Sequence, residues 1–548
     1  MRVRSPAGPI TVHAIAGTYV VLLGINIDAA LLEGLLGFAV ERTDHTEGQR
    51  YDLPNALLFA ANDTGSEPEY SSRHNPVQEF VWGDYTAKPQ HRYTYKVTAM
   101  YGTPGKLTPG EEAAVTVMTI HPDDGTHGVF FNRSVVASRA YQTRFGPRAP
   151  DTVPNRAAYQ WLSRGLEEAL LAFIGQASDE RYALRGAFYE FAYPRVLQAL
   201  RVAADAGADV ELIVHDVAKK GDNTAGRNRA AIAAAGLTLR SAPRTRTKIA
   251  HNKFLVLLRD GRPLQVWTGS TNITEGAIFG HANVGHRISD PALAQGYLDY
   301  WNALKPDPER RTLRAFADPM PVFPAKRPPR NTRTSIFSPR TTLDPLQWYC
   351  RLADLAKDAV FLTAAFGLTD EIAPVFKDHR PYLRYLLLDL ATGNVEAVRR
   401  DPGNVVAAGG FKATGGWRKW IADGLTNLNF HVDYVHTKFM LVDPLGANPI
   451  VITGSANWSD ESVKLNDENM VVIYGNDRVA DLYLTEFMRL FNHYRLRGKA
   501  HTGPTELEPG PGATPAERSR LYLREDDGWA RPFFVDGSPE AKERLLFA

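Results

Sequence analysis

At 548 residues the chain is longer than one ordinary hydrophobic core supports, so two or three domains are expected. Apolar content of 44% and charged content of 23% are those of a soluble globular protein. A net charge of +2 excludes a globally basic nucleic-acid footprint while leaving local patches open, and the single cysteine, Cys350, excludes an internal disulfide.

Residues 1–122 read as all-β. Met1-Arg2-Val3-Arg4 ahead of the apolar run Ala14–Ile25 has the outline of an export signal. Gly17 and Gly24 interrupt that run, Asn26 and Asp28 follow it, and no small-residue cleavage site appears, so Thr18–Leu23 reads as a buried strand. The expected location is cytoplasmic, with secretion as the alternative, and no stretch is apolar and long enough to span a bilayer. Expected strands are Thr18–Ile27, Gly37–Arg42, Leu57–Ala61, Glu79–Trp82, Arg92–Tyr101 and Ala114–Ile120, separated by turn-formers. The pattern resembles a fibronectin type III-like sandwich, with Tyr93 or Tyr95 in the tyrosine-corner role and a function as either spacer or recognition module.

Residues 123–155 form a connector with an edge strand, Gly128–Arg133, followed by Pro147, Pro150 and Pro154. Lobe 1 is expected over 156–320 and lobe 2 over 321–500, both α/β. Lobe 1 reads as helix Gln160–Ile174, strand Tyr182–Phe191, helix Tyr193–Ala206, strand Asp209–Val214 and helix Ala225–Ala235. Lobe 2 repeats the order with helix Leu346–Asp358, strand Val360–Phe366, a helical turn within Glu371–Phe376 and strand Arg384–Leu390. A mixed stretch, Phe411–Leu425, is followed by strands Ile450–Thr453 and Met470–Tyr474 and helix Asp477–Tyr494. Such alternation implies largely parallel sheets covered by helices. Cys350 lies in an apolar helical run and reads as buried and inert. Residues 501–548 are a Pro- and Gly-rich linker and a tail whose Trp529, Phe533 and Phe534 suggest docking onto the body.

The strongest signal is a duplicated motif. His251-Asn252-Lys253-Phe254 with Gly269-Ser270-Thr271-Asn272 recurs as His436-Thr437-Lys438-Phe439 with Gly454-Ser455-Ala456-Asn457, every member displaced by 185 residues (251 to 436, 272 to 457). The repeat implies two homologous lobes sharing one site. It resembles the phospholipase D superfamily, whose signature is His-x-Lys-x4-Asp followed by Gly-Ser-x-Asn, over roughly residues 128–500. The second copy is complete, with Asp443 and Glu468. The first copy departs from it, with Leu258 at the position of Asp443 and Asn283 at that of Glu468. The resemblance implies a two-lobed, pseudo-twofold α/β fold with mixed sheets flanked by helices, and phosphodiester chemistry on substrates ranging from phospholipids to nucleic acids.

The residues suit that chemistry. Lys253 and Lys438 neutralise the non-bridging oxygens of a phosphodiester, and Asn272, Asn457, Ser270 and Ser455 donate hydrogen bonds to them. One imidazole attacks phosphorus and the other protonates the leaving group, so no metal or other cofactor is required. In a strand, His251 and Lys253 share a face, as do His436 and Lys438, whereas the odd offset of Asp443 turns it away into a structural role. Glu468 is expected beside His436 and the neutral Asn283 beside His251. A carboxylate stabilises an imidazolium, so His251 is expected to be the nucleophile and His436 the general acid and base, as members of the superfamily with a similar asymmetry also suggest. Glu190 could point into the cleft. His281, His286 and His215-Asp216 read as core, surface or turn residues.

Basic residues gather near the motifs: Arg240, Arg244, Arg246 and Lys248 before His251; Lys326, Arg327, Arg330 and Arg333 between the lobes; Arg399, Arg400, Arg418 and Lys419 before His436. If Arg246, Lys248 and their neighbours line the cleft, a polyanion is the natural substrate, and a nuclease is the leading expectation. A phospholipase D using Trp417 and Trp420 at an interface is the first alternative. A weakly active binding protein using the β-domain is the second.

Overall fold

The computed structural model describes residues 1–62, 70–134, 138–320, 328–390, 395–409, 435–501 and 522–548. Lys326, Arg327, Trp417, Arg418, Lys419, Trp420 and the Pro-rich stretch from 502 lie outside them.

Eight strands build the N-terminal unit: β1 (Arg2–Arg4), β2 (Ile10–Ala16), β3 (Val21–Ile27), β4 (Gly37–Asp44), β5 (Gln49–Asp52), β6 (Val81–Asp84), β7 (Arg92–Thr103) and β8 (Lys106–Met118). They form two antiparallel sheets, β1-β2-β3-β6 and β5-β4-β7-β8, around Val12, Leu23, Phe38, Val40 and Val97. The run expected as one strand from Thr18 is a hairpin: Gly17 N–H bonds Val20 O at 2.8 Å, leaving β2 on one side and β3 on the other. Leu57–Ala61 is not a strand. Phe59 N–H is taken by the Asn75 side chain at 2.9 Å and Ala60–Asn62 is a 3₁₀ turn, so this stretch has no ladder to join. Tyr93 OH accepts the N–H of Lys88 at 2.9 Å, while Tyr95 OH donates to Asp84 at 2.8 Å.

Lobe 1 comprises β9 (His127–Phe131), β10 (Tyr182–Phe188), β11 (Asp209–His215), β12 (Ser241–Arg244), β13 (Lys253–Arg259), β14 (Arg262–Gly269) and β15 (Val284–Ile288), ordered β12-β11-β10-β13-β14-β15-β9. Lobe 2 comprises β16 (Thr332–Ser338), β17 (Ala359–Ala364), β18 (Leu383–Leu388), β19 (Asn404–Ala408), β20 (Phe439–Val442), β21 (Ile450–Gly454) and β22 (Glu468–Tyr474), ordered β16-β22-β21-β20-β17-β18-β19. The sheets are mixed and flanked by helices, as the resemblance implies, and not largely parallel as the strand-helix alternation alone suggests. Only β10-β11-β12 and β17-β18-β19 run parallel, because β13-β14 and β20-β21 are direct hairpins and hairpins pair antiparallel.

Helix Asp477–His501 ties the units together. Its Tyr483 and Phe487 pack edge-on to Phe439, Tyr483 also meets Phe131, and Phe491 meets Tyr385. The tail docks on the sandwich, where Trp529, Phe533 and Phe534 surround Phe80. Cys350 is partly buried in helix Asp344–Ala353, and burial pushes its thiol up to about 11, so it is a poor nucleophile.

Candidate active site between the lobes

The two lobes meet edge to edge through backbone bonds that repeat with near-twofold symmetry. His251 N–H donates to Asp467 O at 2.9 Å and Asp467 N–H to Ile249 O at 3.0 Å; His436 N–H donates to Ala282 O at 3.1 Å. Parallel bridges Ala250–Asp467 and Ala282–Val435 mark the same two seams. The preceding N–H groups are capped from within each lobe. Ala250 N–H bonds His215 Nδ1 at 3.2 Å and Val435 N–H bonds Asp389 Oδ1 at 2.7 Å. His215 is therefore a buried strand-end acceptor that fixes the main chain before His251.

These seams carry each lobe's last strand to the other lobe's histidine. His251 Nδ1 lies 2.9 Å from both oxygens of Glu468, and His436 Nδ1 lies 2.9 Å from Asn283 Oδ1. The expected pairing of His436 with Glu468 and of His251 with Asn283 is thus reversed. Sequence proximity suggested support within a lobe, but β15 and β22 both start at the interface, so Asn283 and Glu468 reach across it.

The serines differ from expectation as well. Ser270 Oγ lies 2.8 Å from Asn283 Oδ1 and takes the N–H of Val284 at 3.1 Å; Ser455 Oγ lies 2.6 Å from Glu468 Oε2 and takes the N–H of Asn469 at 3.0 Å. Their hydroxyl protons go to the groups behind the histidines, not toward a substrate. The preceding glycines permit this close approach: a Cβ on Gly269 or Gly454 would lie 2.2 Å from the carbonyl oxygen of Val284 or Asn469.

Asn283 is oriented by Nδ2 donating to Ala277 O at 2.9 Å, so its oxygen faces His436. Both histidines therefore carry the proton on Nδ1 and turn Nε2 toward the pocket. Lys253 and Lys438 are buried, and each donates to the carbonyl of its own histidine at 2.6 Å, with two N–H bonds left over. Asn272 Nδ2 donates to Glu190 Oε2 at 2.5 Å, and Asn272 Oδ1 and Asn457 Oδ1 have no hydrogen-bond partner among the described residues. Tyr189 packs on His251 with ring centroids 5.2 Å apart, and His281 lies 5.7 Å from His436. Neither was marked by the motif, since each is recruited from a loop beside it.

Burial governs the electrostatics. It pushes His251 down to about 4, partly opposed by Glu468. His436 is held well below its usual range by burial and then by Lys438, His281 and Lys253. Burial brings Lys253 down to about 8; Lys438 falls further, through burial and the charge of Lys253. Burial works to raise Glu468, but His251 and Lys253 outweigh it and keep the carboxyl low. The resting pocket thus holds an ionised Glu468 beside a neutral His251.

Asp443 stands apart. Its carboxylate accepts the N–H groups of Lys357, Asp358 and Ala359 at 2.9–3.2 Å, fixing the start of β17. The basic residues before His251 are engaged by acids. Arg244 pairs with Asp467 at 2.8 Å and Asp307 at 2.7 Å, Arg246 lies 3.4 Å from Glu309, and Lys248 meets Glu461.

The Arg244–Asp467 pair is fully buried, crosses the lobe interface and immediately precedes Glu468. Arg244→Ala should cost about 3–5 kcal/mol at pH 8, because it strands a buried carboxylate. Burial already raises Asp467 to about 6, above the unfolded carboxylate range, so the folded state binds the extra proton between those values. Without Arg244 the folded value rises further, so the loss shrinks as pH falls and Asp467 is neutralised. Denaturant titrations at pH 8 and pH 5 check this; an equal loss at both would contradict it.

The fold and site define a bilobal α/β protein with one pocket built from a duplicated His-Lys-Asn set. Residues 170–305 and 412–491 match the family model described as "Cardiolipin synthase, PLD-like domain". Human mitochondrial cardiolipin hydrolase is 34% identical over 86 residues, covering 16% of this chain and 32% of that protein. The chain thus spans about a third of that relative's length. Among solved structures, Haemophilus influenzae phosphatidylserine synthase is similar over 61% of this chain and 84% of its own, at 14% identity and a TM-score of 0.41. Yeast tyrosyl-DNA phosphodiesterase is similar over 56% of this chain and 85% of its own, at 11% identity and a TM-score of 0.31. No described helix is long and apolar enough to cross a membrane.

Proposed function

We propose that the protein is a metal-independent phosphodiester hydrolase working through a phosphohistidine. The observation that carries this reading is the crossed support of two histidines, each backed at Nδ1 from the opposite lobe, with two buried lysines in the same pocket. Lys253 and Lys438 hold the non-bridging oxygens and supply the positive charge a metal would bring elsewhere. His251 Nε2 attacks phosphorus while His436 Nε2–H protonates the departing oxygen. His436 then takes a proton from water, whose oxygen attacks phosphorus and releases His251.

The crossed pairing gives His251 the carboxylate and His436 the neutral amide, the reverse of the expected support, and still favours His251 as nucleophile. Phosphorylation at Nε2 leaves a cationic ring still protonated at Nδ1, and Glu468 stands against that proton. His436 has only a neutral amide behind it and cations around it, so it surrenders a proton readily.

Nucleic acid is the substrate proposed first. Lys219 and Lys220 follow β11 on an exposed loop, and Phe366, 52% exposed just past β17, offers a stacking face. A glycerophospholipid is the second reading, favoured by the cardiolipin-related names above and by exposed Leu390 beyond β18.

The test is turnover in EDTA of single-stranded DNA, duplex DNA, RNA and cardiolipin vesicles, by wild type and His436→Ala, at pH 5.5 and pH 8. Metal-free cleavage by wild type alone is expected, and faster at pH 5.5, because His436 must carry a proton to act and Lys253 loses its charge toward alkaline pH. Cleavage of cardiolipin alone would select the second reading. No turnover of any substrate would leave the binding-protein alternative.

A further inference from the structure

The walls of the pocket are not equivalent. Two residues beyond β10 lies Glu190, and two residues beyond β17 lies the uncharged Phe366. Backbone and side-chain contacts fix Glu190 at the pocket. Tyr189 N–H bonds Asn252 O at 3.0 Å, continuing the β10–β13 register and setting Glu190 across from His251. Ile273 N–H bonds Glu190 O at 2.9 Å. The carboxylate takes Asn272 Nδ2 at 2.5 Å and lies 3.6 Å from Arg227. Its negative charge favours the charged forms of both Lys253 and Lys438.

A carboxylate in an anion pocket needs a reason. Holding Asn272 is not sufficient, because a glutamine oxygen would hold it equally well. The charge itself has an effect. The two lysines are opposed by Glu190 and Glu468, so with a proton on His436 the pocket balances one negative charge. A phosphodiester brings one. Hydrolysis breaks the phosphorus–oxygen bond to the leaving alcohol and forms one to a water oxygen. The alcohol departs with a proton, and the phosphomonoester left behind carries two negative charges at neutral pH.

We propose that Glu190 is a specificity-determining residue that matches the pocket to a monoanionic phosphodiester and expels the dianionic monoester product. This rests on the hydrolase reading above and adds to it a basis for diester selectivity and for product release. Arg227, partly exposed beside Glu190, tempers the repulsion.

The experiment uses bis(p-nitrophenyl) phosphate as substrate and p-nitrophenyl phosphate, its own product, as inhibitor, in EDTA at pH 7.5. The readout is the product's Ki divided by the diester's KM, which a merely structural loss would not move. Glu190→Gln is expected to lower that ratio by about ten-fold, since it removes a charge that repels the dianion twice as strongly as the monoanion. Arg227→Gln is expected to raise it, so a poorly folded first variant does not leave the matter open. Ratios unchanged in both variants would overturn the inference while leaving the hydrolase reading intact. A wild type that releases no p-nitrophenol would overturn that reading, and this inference with it.

Discussion

His251→Ala is expected to lose turnover by roughly 10⁴-fold or more and to form no phosphoenzyme, whereas His436→Ala should form one and stall. The difference follows from what each ring has behind it. Loss of His251 removes the atom that bonds phosphorus, and no other group in the pocket combines a free lone pair with a carboxylate that offsets the positive charge it gains. Loss of His436 removes only a proton donor. With p-nitrophenol as leaving group little protonation is needed, so the first step survives. The second step does not, because no base remains to activate water. Rapid quench with a labelled diester, followed by mapping of the acid-labile phosphopeptide, measures both. A phosphoenzyme on His436 in the His251→Ala protein would reverse the roles.

The duplicated motif made the two lobes and the shared pocket legible without coordinates, because residues repeated at one fixed offset must come from homologous folds. Strand alternation suggests that each lysine shares a face with its histidine, but β13 begins at Lys253 and β20 at Phe439, so both histidines and Lys438 precede the strands; Asp443, just past β20, holds the backbone of Lys357–Ala359. What the sequence hid was everything that depends on which chain segments meet. Glu468 follows His436 by 32 residues and belongs to the same lobe, so it was assigned to that histidine; only the backbone seam between Ala250 and Asp467 carries it to His251. Ser270 and Ser455 looked like substrate ligands because their hydroxyls suit phosphate, but the turn after each glycine aims them at Asn283 and Glu468. Clustered arginines and lysines before His251 suggested a polyanion track, and no one-dimensional pattern could reveal that Asp467, Asp307, Glu309 and Glu461 arrive from distant positions to meet them. Tyr189 carries no sequence signal and His281 reads only as a core or surface histidine for a related reason, since a ring that packs on a histidine has no required spacing from it.

Glu468→Gln separates the crossed arrangement from the one the sequence suggested. Glu468 accepts from His251 with both oxygens and from Ser455 with Oε2, and Asn466 Nδ2 adds a weaker contact to Oε1 at 3.3 Å. A glutamine puts an NH₂ donor in place of one of these accepting oxygens, and it brings no charge to offset a cationic phosphohistidine. Phosphorylation is expected to slow by roughly 10²–10³-fold. The same factor should appear in the His436→Ala background, because the effect travels through His251 alone; in the uncrossed arrangement it would vanish there. The pH profile gives a second readout. His251 attacks only when unprotonated, so the acid limb of kcat/KM marks its loss to protonation. Glu468 opposes the downward push of burial on His251, so removing its charge lets the ring shed its proton more easily. The acid limb should therefore move to lower pH in Glu468→Gln, even as the plateau falls. A limb that moved to higher pH, or a factor that disappeared with His436, would mean that Glu468 does not act through His251.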